Sequence, residues 1–259
     1  MQVGIFNDES KIGEIGAEII APVFIDKPTG VLGLATGSSP LPLYDALVKK
    51  VEAGTLSFAQ AQAFCLDEYV GLSMEHPEAY RNFIRRVFTA RTDFPDSAVH
   101  APAGASDDPY AAAAEYDAQI KAAGGVDVQI LGIGSDGHIG FNEPSGSLSS
   151  RTHVDFLTEQ TRQDNARFFD GNLADVPTAC ITQGLGTIME AGKLVLIATG
   201  AGKAEAVAQM VEGPVSARWP ATVVQFHNDI TVLLDEGAAS KLTMRDYYAQ
   251  AWKAQYDQS

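Results

Sequence analysis

"VDVQILGIGSDGHIGFNEP", Val126 to Pro144, decides how this chain is read. Its first part, "VDVQILGI", is a short apolar run of strand length, of the kind buried on both faces of a sheet. Its second part, Gly132 to Pro144, packs a histidine, two carboxylates and four glycines into thirteen positions. Ordering glycine costs conformational entropy. Such density is expected where a turn is tight or where backbone must approach a ligand. In open α/β sheets, ligands bind beyond the carboxyl ends of the strands. Asp136, His138 and Glu143 therefore stand where chemistry is expected, as catalysts, as metal ligands or as polar loop residues.

The rest of the chain repeats the strand-then-helix rhythm. The first strand begins at the N-terminus, and Ile12, Ile15, Ile19 and Ile20 follow at helical spacing. "VLGLAT" (31–36) predicts a strand. "LPLYDALVKKVEAG" predicts a helix with Leu43, Tyr44, Leu47, Val48 and Val51 on one face and Gly54 as its stop. "AQAFCL" predicts the next strand. Pro77 opens a helix striped by Tyr80, Phe83, Ile84, Val87 and Phe88. "YAAAAEYDAQIKAAGG" predicts a helix with a glycine cap. "KLVLIAT" and "ITVLLDE" are later strands, with the helix "GKAEAVAQMVEG" between them. The alternation predicts a mostly parallel sheet covered by helices on both faces, in one large α/β domain or two small ones. Residues 145–182 break the rhythm except around Thr161 to Phe168, and are expected to form a lid excursion from the sheet.

Composition narrows the function. A 259-residue chain with 46% hydrophobic residues is long enough for a real core. The net charge of −15 argues against nucleic acid or an anionic membrane as a partner. Cys65 and Cys180 are too few for a disulfide framework, and Cys65 reads as a buried thiol. The N-terminus lacks the marks of a signal peptide, and no run of about 18 apolar residues predicts a membrane span. Together these predict a cytoplasmic protein.

Four polar segments follow predicted strands and should meet in space. "ATGSSP" offers Gly37, Ser38 and Ser39 at a helix N-terminus, which suits a phosphate. It is neither a P-loop nor G-x-G-x-x-G, and an ordinary helix start with Pro40 explains it equally well. "CLDEYVGL" sets Asp67 and Glu68 at a strand end. A carboxylate half desolvated there has a raised pKa and can serve as a base, although a cap is the commoner use of an isolated Asp-Glu. One histidine and two carboxylates are a poor zinc set, whereas carboxylates around an imidazole fix its tautomer and support its charged form. Arg151, Arg162, Arg167 and Lys203 are the basic residues nearby, and Arg167 and Lys203 could supply donors to a phosphate.

"LGLATGSSP", "LDEYVGL", "LGIGSDGHIGFNEP", "DNARFF" and "ATGAGKA", in this order and spacing, resemble the glucosamine-6-phosphate deaminase (glucosamine-6-phosphate isomerase) family over essentially the whole chain. The pair "DGHIGFNEP" and "LDEYVGL" is the specific part. The resemblance implies a single α/β domain over 1–259, a Rossmann-like three-layer αβα sandwich on a mostly parallel sheet, with a flexible lid. It implies conversion of D-glucosamine 6-phosphate and water to D-fructose 6-phosphate and ammonia, in amino sugar catabolism, with no cofactor and no metal. It makes Asp67 the base at C2 and His138 the ring-opening acid/base, with Asp136 and Glu143 around it. It makes Gly37, Ser38, Ser39, Arg167 and Lys203 the phosphate site. The loop glycines are then expected to let backbone pass close to the sugar.

Two enzyme rivals remain at this point: 6-phosphogluconolactonase and a galactosamine-6-phosphate deaminase. A sugar-phosphate-sensing regulator should carry a basic helix-turn-helix, which the sequence does not offer. One departure stands out. Hexameric members activated by N-acetylglucosamine 6-phosphate carry basic residues after the catalytic loop. Here the run is "SRTHVDF", with His153 and Asp155 where an arginine and a lysine are expected. A monomer or small homo-oligomer without that effector response is the expectation.

Overall fold

The computed structural model describes residues 1–256. Its central sheet has seven strands in the order β1, β10, β9, β6, β2, β3, β5. They are β1 (Gln2–Phe6), β2 (Val31–Leu34), β3 (Gln62–Cys65), β5 (Val99–His100), β6 (Val128–Leu131), β9 (Lys193–Ala198) and β10 (Ile230–Asp235). Every neighbouring pair is parallel. Helices α1 (Glu9–Asp26), α2 (Leu41–Glu52), α3 (Tyr80–Val87), α4 (Pro109–Ala122), α5 (Glu159–Asn165), α6 (Leu185–Met189), α7 (Ala204–Glu212) and α8 (Arg245–Tyr256) complete the chain. The fold is the expected three-layer α/β arrangement, and the core strands β2 and β6 are buried along their whole length.

Local sequence explains the helix limits. Asp8 caps α1 by accepting from the Ser10 backbone N–H. Asp108 caps α4, whose second half ends at Gly124 and Gly125 in the left-handed region. Tyr44 of α2 is fully buried, and its hydroxyl donates to the Ala35 carbonyl at 2.7 Å while accepting from the Ala35 N–H at 3.1 Å. That pair anchors the chain where it leaves β2. Pro77 does not open α3, which starts at Tyr80. The reason is tertiary: the Glu68 carboxylate reaches the N–H groups of Tyr80 and Arg81 and sets the helix start there.

Strand order reverses between β2 and β6. From β2 the chain continues to β3 on one side, and from β6 it continues to β9 on the other. A crevice opens at such a switch point, outside the carboxyl ends of the two strands. The loops "ATGSSP" and "GIGSDGHIGFNEP" leave from those ends.

A second, three-stranded antiparallel sheet was not foreseen. Its order is β4 (Asp67–Tyr69), β8 (Ala179–Thr182), β7 (His153–Phe156). Only Leu66 separates β3 from β4, so the chain passes directly from the parallel sheet into this one. Residues 145–182 do leave the parallel sheet, but they are not all excursion. Ala179–Thr182 is the middle strand of the second sheet, with Cys180, Ile181 and Thr182 buried. Its polar and β-branched composition suits an antiparallel strand. What projects over the crevice is α5 and the turn after it.

Candidate active site

The crevice at the switch point is a cleft of about 170 Å³. Gly37, Ser38 and Ser39 line one end of it, with Arg167 and Lys203. Gly37 is in the left-handed region at φ +96°, and no side chain caps the helix that follows. At this helix start the Leu41 N–H donates to the Ser38 carbonyl at 3.2 Å and Pro42 has no N–H, so an anion here would rely on the loop residues before the helix. Arg167 packs its guanidinium 4.7 Å over the Phe168 ring. Burial pushes the Lys203 pKa down; Asp164 and Asp136 oppose that, and Arg167 adds to it. A partly desolvated lysine beside an exposed arginine favours an anion between the two.

Asp67 lines the floor of the cleft, and His138 rises from the loop after β6. Three carboxylates here are almost inaccessible: Asp67 at 5%, Glu68 at 7% and Glu143 at 6% exposure. Burial, and the neighbouring Glu68 charge, push the Asp67 pKa up to about 8, against a pull downwards from His138. Its Oδ1 has no hydrogen-bond partner. Buried polar atoms are nearly always paired, so a carboxylate that lines the cleft with an enclosed oxygen left unpaired is suited to take a proton from a ligand.

His138 is held from one side. Its Nδ1 lies 2.8 Å from Asp136 Oδ1 and 3.7 Å from Glu143 Oε2. The Asp136 contact is bent away from the ring N–H axis, so the carboxylate acts on the ring chiefly as a charge. Burial disfavours the imidazolium, but contact with Asp136 and Glu143 outweighs it and raises the pKa to about 9. Burial likewise works against the Asp136 charge, yet His138 holds its pKa well below the ordinary carboxylate range. Both carboxylates address the same nitrogen, which keeps Nδ1 protonated and leaves Nε2 for a ligand. The three groups could also surround a cation, since their ligand atoms lie within 4.8 Å of one another. One imidazole and two carboxylates whose shared target is Nδ1–H fit a proton-holding pair better than a zinc set.

The loop glycines serve different ends. A Cβ on Gly134 would stand 2.3–2.7 Å from the His138 ring, and the Gly134 N–H donates to the His138 carbonyl at 2.9 Å. Gly134 is glycine because the imidazole occupies that space, not because of the sugar. Gly132 differs: it lines the cleft, with open space where a Cβ would point.

Asp136 and Glu143 stand behind His138 and outside the cleft lining. Arg151 lies elsewhere, bridging Asp117 and Glu190, and Arg162 binds the carbonyls of Leu173 and Val176. Sequence reasoning missed the aromatic wall. Tyr69, Tyr80, Phe83, Phe141 and Phe169 line the cleft. Tyr80 and Phe83 were visible as a helical stripe, but the stripe faces the cleft as well as the core. Asn165 was missed as well; its amide donates to the Tyr69 hydroxyl at 3.1 Å. Thr161 was placed only as a helix boundary. Its hydroxyl donates to Glu143 Oε1 at 2.6 Å and ties α5 to the His138 site.

A doubly wound α/β fold with a cationic cradle and a buried carboxylate–imidazole pair at its switch point defines a sugar-phosphate-processing enzyme. The chain belongs to the family of glucosamine-6-phosphate isomerases and 6-phosphogluconolactonases, whose model matches residues 17–233. It is 59% identical over 254 residues to the glucosamine-6-phosphate deaminase of Mycolicibacterium smegmatis, covering 98% of this chain and 97% of that one. It is 52% identical to the enzyme of the same name from Streptomyces coelicolor, covering 97% of each. Among solved structures it is similar to one described as a monomeric glucosamine-6-phosphate deaminase. The TM-score there is 0.90 at 40% identity, over 93% of this chain and 100% of that one. The 6-phosphogluconolactonase of Trypanosoma brucei, at 20% identity and TM-score 0.75 over 93% of this chain and 98% of that one, shares the fold. No helix among the described residues is long and apolar enough to cross a membrane.

Proposed function

We propose that this enzyme is a glucosamine-6-phosphate deaminase, a hydrolase acting on a C–N bond: D-glucosamine 6-phosphate and water give D-fructose 6-phosphate and ammonia. The observation that carries the reading is the unpartnered, buried Asp67 carboxylate in the same cleft as a His138 imidazole kept charged by two acids. Gly37, Ser38, Ser39, Arg167 and Lys203 hold the 6-phosphate. His138, protonated at both nitrogens, donates from Nε2 to the ring oxygen, the pyranose opens, and the freed Nε2 takes the proton that the O1 hydroxyl gives up. Asp67 removes the C2 proton next to the C1 carbonyl, giving an enol-type intermediate. Protonation at C1 leaves an imine at C2, which water hydrolyses to the ketone with release of ammonia. Asp136 and Glu143 maintain the charge of His138, and α5 closes over the cleft as a lid. The route is internal to the substrate and uses neither redox cofactor nor metal. The chain works in the cytoplasm as a monomer.

The test is ammonia and fructose 6-phosphate release from glucosamine 6-phosphate, run beside galactosamine 6-phosphate and 6-phosphogluconolactone. Turnover of the glucosamine sugar, undiminished by EDTA, is expected. Preference for either other substrate overturns the reading, and activity lost to chelator and restored by Zn²⁺ overturns the metal-free route.

A further inference from the structure

Asp67 and Glu68 are adjacent in β4, so their side chains leave opposite faces of the strand. Asp67 enters the cleft. Glu68 lines a separate alcove of about 120 Å³ with Leu72, Met74, Ala79, Arg81 and the 101–105 loop. The two cavities share no lining residue. We propose that Glu68 is a positioning residue for the reaction, holding the N-terminus of α3 to β4 with a buried charge and acting through that strand on Asp67. The inference rests on the reading of Asp67 as the C2 base.

Each hydrogen bond to Glu68 comes from a backbone N–H. Oε1 accepts from Tyr69 at 2.9 Å and Tyr80 at 3.0 Å, and Oε2 accepts from Arg81 at 3.3 Å. The cap residue of α3, Ala79, has no side chain for the purpose. The first N–H groups of the helix would otherwise be orphaned. A negative charge at a helix N-terminus is favoured by the helix dipole, so Glu68 serves there as a carboxylate. Two consequences follow. Tyr80 and Phe83, which wall the cleft above Asp67, are fixed to the strand that carries Asp67. The Glu68 carboxylate also sits beside Asp67, on the side away from substrate; burial raises its pKa while three backbone N–H groups favour its charge, and that charge opposes loss of the Asp67 proton.

The other groups around Asp67 leave this charge without a close rival. His138, from the loop after β6, pulls the other way. Cys65 of β3, Tyr69 of β4, Tyr80 of α3, Tyr116 of α4 and Cys180 of β8 are pushed upward by burial and stay neutral. The Arg81 guanidinium turns outward to Asp96 and the Val99 carbonyl.

The test is the pH profile of kcat/KM together with thermal unfolding. Glu68→Gln is expected to lower Tm and to move the acidic limb down by about half a pH unit or more. Adding Ala79→Ser supplies a local cap; the double variant should regain stability while its limb stays shifted. Glu68→Asp, which keeps the charge, should keep the limb near its wild-type place. A limb that does not move in Glu68→Gln, or that returns when Ala79→Ser restores Tm, makes Glu68 only a helix cap and overturns the proposal. Should Glu68→Gln not fold alone, the double variant carries the same comparison. Failure of the base assignment appears separately, as an Asp67→Asn enzyme that still turns over. An inactive Asp67→Asn with an unmoved Glu68→Gln limb overturns the Glu68 inference alone.

Discussion

In the proposed route Asp67 and His138 divide the chemistry by environment. One carboxylate is stripped of solvent and partners; one imidazole is enclosed by carboxylates. Asp67→Asn is nearly isosteric but cannot accept a proton. It should keep the fold and substrate binding, lose kcat by about 10²–10⁴-fold, and abolish solvent exchange of the C2 hydrogen. His138→Gln should slow the closed-ring substrate far more than an open-chain analogue; equal losses on both would remove ring opening from His138. The pH dependence of stability has a defined sign. Both groups have folded pKa values above their ordinary ones, His138 at about 9 against 6.5 and Asp67 at about 8 against 3.8. Stability from each is complete below the ordinary value and is lost as pH rises through the folded one. The ligand-free protein should therefore lose stability from about pH 4 to 9, and Asp67→Asn should flatten the part of that slope between about pH 4 and 8. Denaturant midpoints across this range decide it.

Elements matter here through the loops they anchor. The proposed phosphate cradle begins two residues after Ala35, whose N–H and C=O both meet the Tyr44 hydroxyl of α2. Tyr44→Phe leaves two buried backbone groups without that partner, which costs about 1–3 kcal/mol in stability. Because the loop it anchors carries Gly37, Ser38 and Ser39, KM should rise more than kcat falls. Thermal unfolding and steady-state kinetics on this one variant check both effects. An unchanged KM would separate the anchor from the cradle. Helix α5 is linked to the His138 site through Thr161 and Glu143, so the helix that runs directly into the turn bearing Arg167 also touches the group behind His138.

In the whole molecule, charge placement argues against a second anion site beside β7. His153 Nε2 lies 3.5 Å from Asp155 Oδ2, and Arg151 is engaged by Asp117 and Glu190. At ~4 Å and an effective dielectric of ~20, a phosphate facing Asp155 would be repelled by several kcal/mol. An activator shifts an equilibrium only by its differential affinity for two states. Initial rates against glucosamine 6-phosphate should be hyperbolic and unaffected by N-acetylglucosamine 6-phosphate, and light scattering should give a monomer mass. A sigmoidal curve made hyperbolic by the acetylated sugar would overturn the first expectation, and a hexamer mass the second.

Periodicity was enough for six of the seven parallel strands, because a strand buried on both faces and a striped helix each carry their pattern within a few residues; β5 is two residues long and carries none. The run from Val126 to Pro144 and the turn at Gly37 to Ser39 were legible for the same reason: strand, glycine loop and polar groups are contiguous. Sequence could not show the second sheet, since β4, β7 and β8 are short and pair residues far apart, as Asp67 does with Thr182. Nor could it divide the roles of Asp67 and Glu68. Both are acids at one strand end, and only the pleat of β4, with α3 docked on one side and the cleft open on the other, makes one a cap and leaves the other unpartnered. Orphaning is a property of the space around an atom, and that space is enclosed by α3, the 132–144 loop and β8, which come together only when the chain has folded.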